Sequence, residues 1–405
     1  MIDNRIIYTS IDFNSRQYNI GGILDGNNHL KKLSIEDVND ISLVGNIYIG
    51  KVAMIQQNLD AAFVDIGDDT TVYCSLKSDW PIIYTHKFAN NDRLCQGDEI
   101  LLQIEKDPIK TKKAVATTNI AFDGDNFILT TGNRSCGISK KLPDEYREAL
   151  KTKLTPILNK YNLGVVVRTA AKNVDSADLI KTIDLKCQEV DTFIKEAKNK
   201  ATFSLLKRGK THLNKFLYEL NEYDLCQVDE FVTDSKEIYE DILNSKVLEN
   251  ISQKFNLANI NSRLYTDETY TMNQLYGLSH QIEGLKKPVV HLRSGANLVI
   301  EPTEAMTVID VNTSRNVKKN MSFLQVNKES AEEVVRQLIL RNISGIIIVD
   351  FINLKSDDEK AELLRYLRDY ASKASSSIQV LDYTKLGLVE MTKKKTSKSI
   401  YQILR

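Results

Sequence analysis

Residues 298–312 read LVIEPTEAMTVIDVN and residues 345–352 read GIIIVDFI, and these two stretches decide the fold class. In the first, apolar residues lie on either side of a turn predicted at Pro302, giving two strands. The second is apolar from Ile346 to Val349 and is predicted as a fully buried central strand, with Gly345 ending the connection before it. Between them, Ala331, Val334, Val335, Leu338 and Ile339 recur at i, i+3, i+4, i+7 and i+8. That is the apolar stripe of a helix, with Asn327 as its expected N-cap. Ser356 and Glu359 have capping-box spacing for a further helix, which leads to the strand IQVLDY at 378–383. Strands alternating with helices predict an α/β domain.

Two acids in these stretches stand out because of their neighbours. Asp310 ends the strand MTVID and Asp350 ends IIIVD. An ionised carboxylate beside a buried strand costs free energy unless something neutralises it. At strand ends in an α/β sheet, two such groups can converge on one divalent ion in the crevice where ligands bind. Oxygen ligands with retained waters suit Mg²⁺, which can polarise a phosphoryl oxygen and activate water for in-line attack. Asn312, two residues beyond Asp310, lies on the same side of an extended chain, where its amide could orient water or a phosphate oxygen. Read singly, each aspartate is more often a strand-end cap.

Upstream, a charged, largely helical stretch runs to about Lys286. Residues 126–142, NFILTTGNRSCGISKKL, read as a strand pair, followed by a helix around Asp144–Tyr161 and a buried strand in LGVVVRT at 163–169. Arg168 and Thr169 directly follow that strand, where a guanidinium and a hydroxyl could hold a phosphate. From about Glu36 to Thr118 the pattern is all-β, with short strands in GNIYIGKVAMI, DAAFVDIG, DDTTVYCSL and GDEILLQIEKD punctuated by Gly45, Gly50, Gly67 and Gly97. Such spacing suits a small closed barrel of OB type. Phe63 and Tyr73 are candidates to stack on bases, or else core residues, and Lys106, Lys110, Lys112 and Lys113 could track phosphates. The first 35 residues alternate like strands, with a hairpin around Asp25–Gly26.

The 405 residues suit two to four domains, and 42% hydrophobic with 27% charged residues is a soluble, globular composition. No signal-like or membrane-length apolar run is visible, so a cytoplasmic protein without a membrane role is expected. The five cysteines show no C-x-x-C spacing, so zinc is not expected. Net charge is zero, which argues against a globally basic nucleic-acid binder. Charge is nevertheless segregated: residues 195–215 carry seven cations and one acid, and residues 219–241 carry nine acids and one cation. Five histidines form no motif, which makes histidine acid–base catalysis a distant option.

The runs GNIYIGKV, LDAAFVDIG, GISKKL, VVVRTA, LRSGANLVIEPTEAMTVIDVN, SAEEVVRQLILRNISGIIIVDFIN and IQVLDYTKLGLVEMT together resemble the catalytic region of the ribonuclease E/G family, collinearly from about residue 1 to 400. The resemblance implies a multidomain α/β (α+β) chain. An RNase H-like domain (1–35 and 213–284) would carry an inserted OB-type RNA-binding barrel (36–118) and a 5′-sensor region (119–212). A DNase I-like catalytic domain (285–405) would follow. By position, Asp310 and Asp350 match the family's metal-binding carboxylates and Asn312 its catalytic asparagine. Phe63, Tyr73 and Lys112 match residues that guide RNA, with Tyr73 standing where the family usually has Phe. Ile128, Arg168 and Thr169 match a pocket for a 5′-monophosphate, and an arginine that usually assists it is replaced by Ser377.

The implied activity is Mg²⁺-dependent cleavage of single-stranded, A/U-rich RNA such as mRNA and rRNA precursors, leaving 5′-phosphate and 3′-hydroxyl ends. The family's zinc link, small dimerisation domain and degradosome scaffold segment do not appear in the sequence. The chain is therefore read as a shortened member or a fragment, with homo-oligomerisation left open. The alternative is a catalytically weak or inactive RNA-binding protein of the same family.

Overall fold

The computed structural model describes residues 4–40, 42–77, 80–89, 91, 93–108, 112–124, 126–313, 321–395 and 397–404. The architecture is mixed α/β, and the chain divides into two units, residues 42–210 and residues 1–41 with 211–405.

In residues 42–210, the strands Ile47–Gln56, Ala61–Asp65, Thr71–Ser75, Val115–Thr117 and Glu99–Lys106 pair in that order. Ile47–Gln56 also pairs with Glu99–Lys106, which closes a five-stranded barrel. Alternation places Val52, Ala62, Val64, Val72, Cys74, Ile100 and Leu102 inside. Gly50 is required there. A Cβ at that position would lie 2.5 Å from Val64 Cγ1 and 2.8 Å from Leu102 Cδ2.

The same unit contains a four-stranded sheet ordered Ala121–Asp123, Phe127–Thr130, Gly164–Val167 and Cys136–Ile138. The helices Asp144–Tyr161 and Ser176–Ala197 contribute Leu150, Leu154, Leu158, Ile183 and Val190 to its core. The strand pair expected in 126–142 is corrected here. Phe127–Thr130 and Cys136–Ile138 do not pair with each other but flank Gly164–Val167. That strand is not wholly buried either, since Val166 is 44% exposed.

In the other unit, Asn4–Phe13, Arg16–Leu24 and Leu30–Asp37 form an antiparallel meander. Val228–Thr233 adds parallel to Asn4–Phe13, and Asn261–Leu264 adds parallel beyond it. The stretch read as largely helical thus contributes two strands. VDEFVT carries acids that mask its alternation, and its partner lies more than 200 residues earlier in the chain.

The second sheet of this unit is ordered Val289–His291, Asn297–Pro302, Met306–Asn312, Gly345–Asp350, Val389–Lys393 and Ile378–Tyr383. Leu298, Ile300, Ile309, Val311, Ile347, Val349 and Met391 face the helices Phe323–Leu340 and Asp357–Ala374, which supply Val334, Val335, Leu338, Leu363 and Leu367. The other face is open. Ile346 is 49% exposed, so the run 345–352 is central but not fully buried. An unbroken apolar run cannot reveal that both covering helices pack on one face.

The first of these helices begins earlier than expected. Ser322 is the N-cap, and Ser322 with Gln325 forms the capping box. Asn327 lies inside the helix. Ser356 caps the second helix by accepting from the Asp358 N–H at 3.1 Å, without a reciprocal bond from Glu359 among the described contacts. No helix among the described residues is long and apolar enough to cross a membrane.

Candidate functional site

Met306–Asn312 and Gly345–Asp350 run parallel, and their ladder ends on Asp310 opposite Asp350. Side chains alternate across a strand, and Thr307, Ile309 and Val311 point into the core. Asp310 and Asn312 must therefore leave through the open face, and the same parity sends Asp350 there. Adjacent strands are about 4.8 Å apart, so the carboxylates stand side by side. Asp310 is half-buried, while Asp350 and Asn312 are exposed. The Asn312 amide Nδ2 donates to Asp310 Oδ2 at 2.7 Å. Among the described residues, neither carboxylate has an ion-pair partner.

The donor chemistry fits a hard divalent cation that keeps part of its water shell, because two adjacent carboxylates supply charge without enclosing the ion. It does not fit a closed structural zinc site, which needs four nitrogen or sulfur donors. No group of three or more His, Cys, Asp or Glu residues among the described ones is arranged to hold a metal. The site is a pair with an amide beside it.

Two features of this neighbourhood escaped the sequence reading. His291 is the register partner of Asn297, which is the partner of Asn312, so all three project from the open face in one row. Alternation in Val289–His291 was the available signal, but a three-residue strand is too short to fix its phase. The second feature is Asn327, which is fully buried. Its Nδ2 donates to the Ile352 carbonyl at 2.7 Å and its Oδ1 accepts from the Ile352 N–H at 3.0 Å. This clamp fixes the backbone two residues beyond Asp350.

In the barrel, Phe63 and Tyr73 are also register partners, with ring centroids 5.9 Å apart in an edge-on arrangement. Both are half-buried on the outer face, while their neighbours Ala62, Val64, Val72 and Cys74 fill the interior. The rings therefore lie outside the barrel interior. The row extends on one side to Met54, 45% exposed, and on the other through Val115 to Lys106. Lys112 and Lys113 are exposed on the segment leading to Val115. Lys110 lies outside the described residues.

The remaining site residues gather at one end of the four-stranded sheet. Ile128 pairs with Asp123 on one side and Val166 on the other. The Arg168 N–H donates to the Asn126 carbonyl at 2.8 Å, and Arg168 Nη2 lies 2.9 Å from Asp123 Oδ1. Lys210 Nζ lies 3.1 Å from Asp123 Oδ2. The Thr169 and Ser139 hydroxyls are 2.8 Å apart. Ile128 and Arg168 are half-buried and Thr169 is exposed at this end of the sheet, and the two cations there are already paired with a carboxylate. Ser377 is in the other unit, where its hydroxyl bonds to Ser375 at 2.7 Å.

Comparison with known proteins adds an independent line. The family model described as "Ribonuclease E/G family" matches residues 121–396. Ribonuclease G of Salmonella typhimurium (strain SL1344) is 30% identical over 394 residues, spanning 93% of this chain and 77% of that protein. Ribonuclease G of Escherichia coli (strain K12) is 30% identical over 396 residues, with the same coverage. Ribonuclease E of a Nostoc species is 28% identical over 365 residues, 89% of this chain but 52% of that protein's length.

Proposed function

The chain belongs to the ribonuclease E/G family and is an endoribonuclease, and from that premise we propose how it works. It hydrolyses phosphodiester bonds in single-stranded, A/U-rich RNA during RNA processing and mRNA decay in the cytoplasm. Asp310 and Asp350 hold one Mg²⁺. The observation that carries this reading is their direct opposition in the parallel ladder, on an open face of the sheet.

When bound, the ion supplies Lewis acidity toward a phosphoryl oxygen and eases deprotonation of water. The chain's own residues do the positioning. Asn312 spends one amide N–H on Asp310, which fixes the carboxylate's rotamer, and its second N–H is left to orient a phosphate oxygen or the attacking water. In-line attack by water on phosphorus with departure of the 3′-oxygen leaves 5′-phosphate and 3′-hydroxyl ends. Phe63 and Tyr73 offer ring faces on which bases stack, and Lys112 offers charge to the backbone. Arg168 and Thr169, beside Ile128, receive a 5′-terminal phosphate.

The domain division into 1–35 with 213–284, 36–118, 119–212 and 285–405 belongs to the same proposal. The order of the five-stranded sheet, an antiparallel meander extended by two parallel strands, supports an RNase H-like domain. The two-helix layer on a mixed sheet supports a DNase I-like one.

The test is cleavage of a 5′-monophosphorylated single-stranded oligonucleotide by purified protein with and without Mg²⁺, with the product ends identified. Binding without cleavage would favour an inactive RNA-binding protein instead. Placement of Asp310, Asn312 and Asp350 on one face favours the enzyme.

A further inference from the structure

We propose that Asp123 sets how strongly this protein discriminates the 5′ end of its RNA, by occupying the cations that an incoming terminal phosphate would use. This inference rests on the reading of Arg168 and Thr169 as the 5′-phosphate pocket.

The two carboxylate oxygens of Asp123 are divided between two cations. Oδ1 lies 2.9 Å from Arg168 Nη2 and Oδ2 lies 3.1 Å from Lys210 Nζ. The backbone that carries this carboxylate is tied. The Gly124 N–H donates to the Phe127 carbonyl at 2.9 Å, and Asp123 is in register with Ile128. Phe127 lies so close over Gly124 that a Cβ there would meet its ring at 2.6 Å. The Arg168 N–H bonds to Asn126 of the same turn. Both ends of the Arg168–Asp123 pair are therefore anchored to one short segment, and the pair is preformed.

It is also exchangeable. The side chains of Arg168, Asp123 and Lys210 are 37%, 45% and 35% exposed. Ion pairs this open to water are weak, so a phosphate can displace the carboxylate at modest cost. A 5′-monophosphate brings close to two negative charges and must either evict Asp123 or sit against it. A 5′-hydroxyl brings no charge and needs no eviction; it can donate a hydrogen bond to the same carboxylate. The internal anion thus narrows the gap between phosphorylated and unphosphorylated ends.

The experiment compares kcat/KM on two oligonucleotides that differ only in a 5′-phosphate or 5′-hydroxyl, using the full chain. Asp123→Asn keeps the side chain's size and removes its charge. It is expected to raise the phosphate-to-hydroxyl ratio about three- to tenfold, mainly through KM on the phosphorylated substrate. Arg168→Ala should lower the ratio, and adding Asp123→Asn to it should restore only part of the loss, through Lys210, which Asp123 also occupies. Thermal midpoints check that each variant is folded, and Asp123→Ser replaces Asp123→Asn should the latter be unstable. An unchanged ratio in the Asp123 variants, with Arg168→Ala lowering it, overturns the inference and leaves the pocket reading standing. A ratio that none of the variants moves overturns both.

Discussion

Asp310 and Asp350 face one another across adjacent parallel strands, so two carboxylates leave the same open face side by side. A strand-end cap would spend its oxygens on backbone N–H groups, whereas the contact made by Asp310 is with the Asn312 amide. Neighbouring carboxylates repel, and the proposed Mg²⁺ would relieve that repulsion. Asp310→Asn or Asp350→Asn is expected to lower kcat at least ~100-fold in Mg²⁺ while RNA binding persists. Mg²⁺ should also raise the wild-type melting temperature and have little effect on either variant's. Wild-type turnover by both variants would show that the site has been misassigned.

The Phe63–Tyr73 pair makes a separate prediction. Because the rings sit outside the barrel core, Phe63→Ala should cost little stability while weakening single-stranded RNA binding by about 1–3 kcal/mol. Gly50→Ala is the contrasting control, since its Cβ would collide with Val64 and Leu102 and unsettle the barrel itself. Melting curves and RNA titrations of the two variants check this. A Phe63→Ala variant that melts well below wild type would return the ring to a structural role.

How much of this was legible in the sequence depended on the range of the interactions involved. The paired aspartates could be read because each ends an apolar run, and alternation then fixes the face. The helix read around Asp144–Tyr161 is found there, bounded by Pro143 and by Asn162 in the left-handed region. By contrast, Val228–Thr233 is a strand only because Asn4–Phe13 offers it an edge, and nothing local announces that partner. The capping box S-F-L-Q at 322–325 was a local signal that the more conspicuous Asn327 obscured. Asp123 could not be connected with Arg168 and Lys210 from spacing, since folding brings them together from three separate segments.

Asn327 leads to a prediction about support of the site. Its amide satisfies both the N–H and the C=O of Ile352 from a fully buried position, and so holds the segment that follows Asp350. Asn327→Ala would leave these backbone groups without their partner, which should destabilise the protein by about 1–3 kcal/mol. If the clamp also positions Asp350, kcat should fall several-fold at temperatures where the variant is fully folded, with KM little changed. A variant that loses stability and keeps kcat would confine Asn327 to a structural role.

The last prediction concerns acid stability and rests on His212. Its ring is buried, with Nδ1 3.1 Å from the Tyr8 hydroxyl and Nε2 2.8 Å from the Ser34 hydroxyl. Burial, assisted by the positive charge of Lys215, lowers its pKa from 6.5 to about 4. A lowered folded-state pKa means that the unfolded chain binds the proton more readily. The stabilisation from the neutral ring is therefore complete above pH 6.5, and it drains away as pH falls toward 4. A shift of this size corresponds to about 3 kcal/mol at most. Denaturant unfolding of the wild type should show ΔG declining through that window. His212→Gln keeps polar contacts to Tyr8 and Ser34 but cannot titrate, so its decline should be shallower by one proton's worth of slope. Parallel curves for the two proteins between pH 6.5 and 4 would mean that His212 already carries its proton in the folded state, against the environment that Tyr8 and Ser34 build around it.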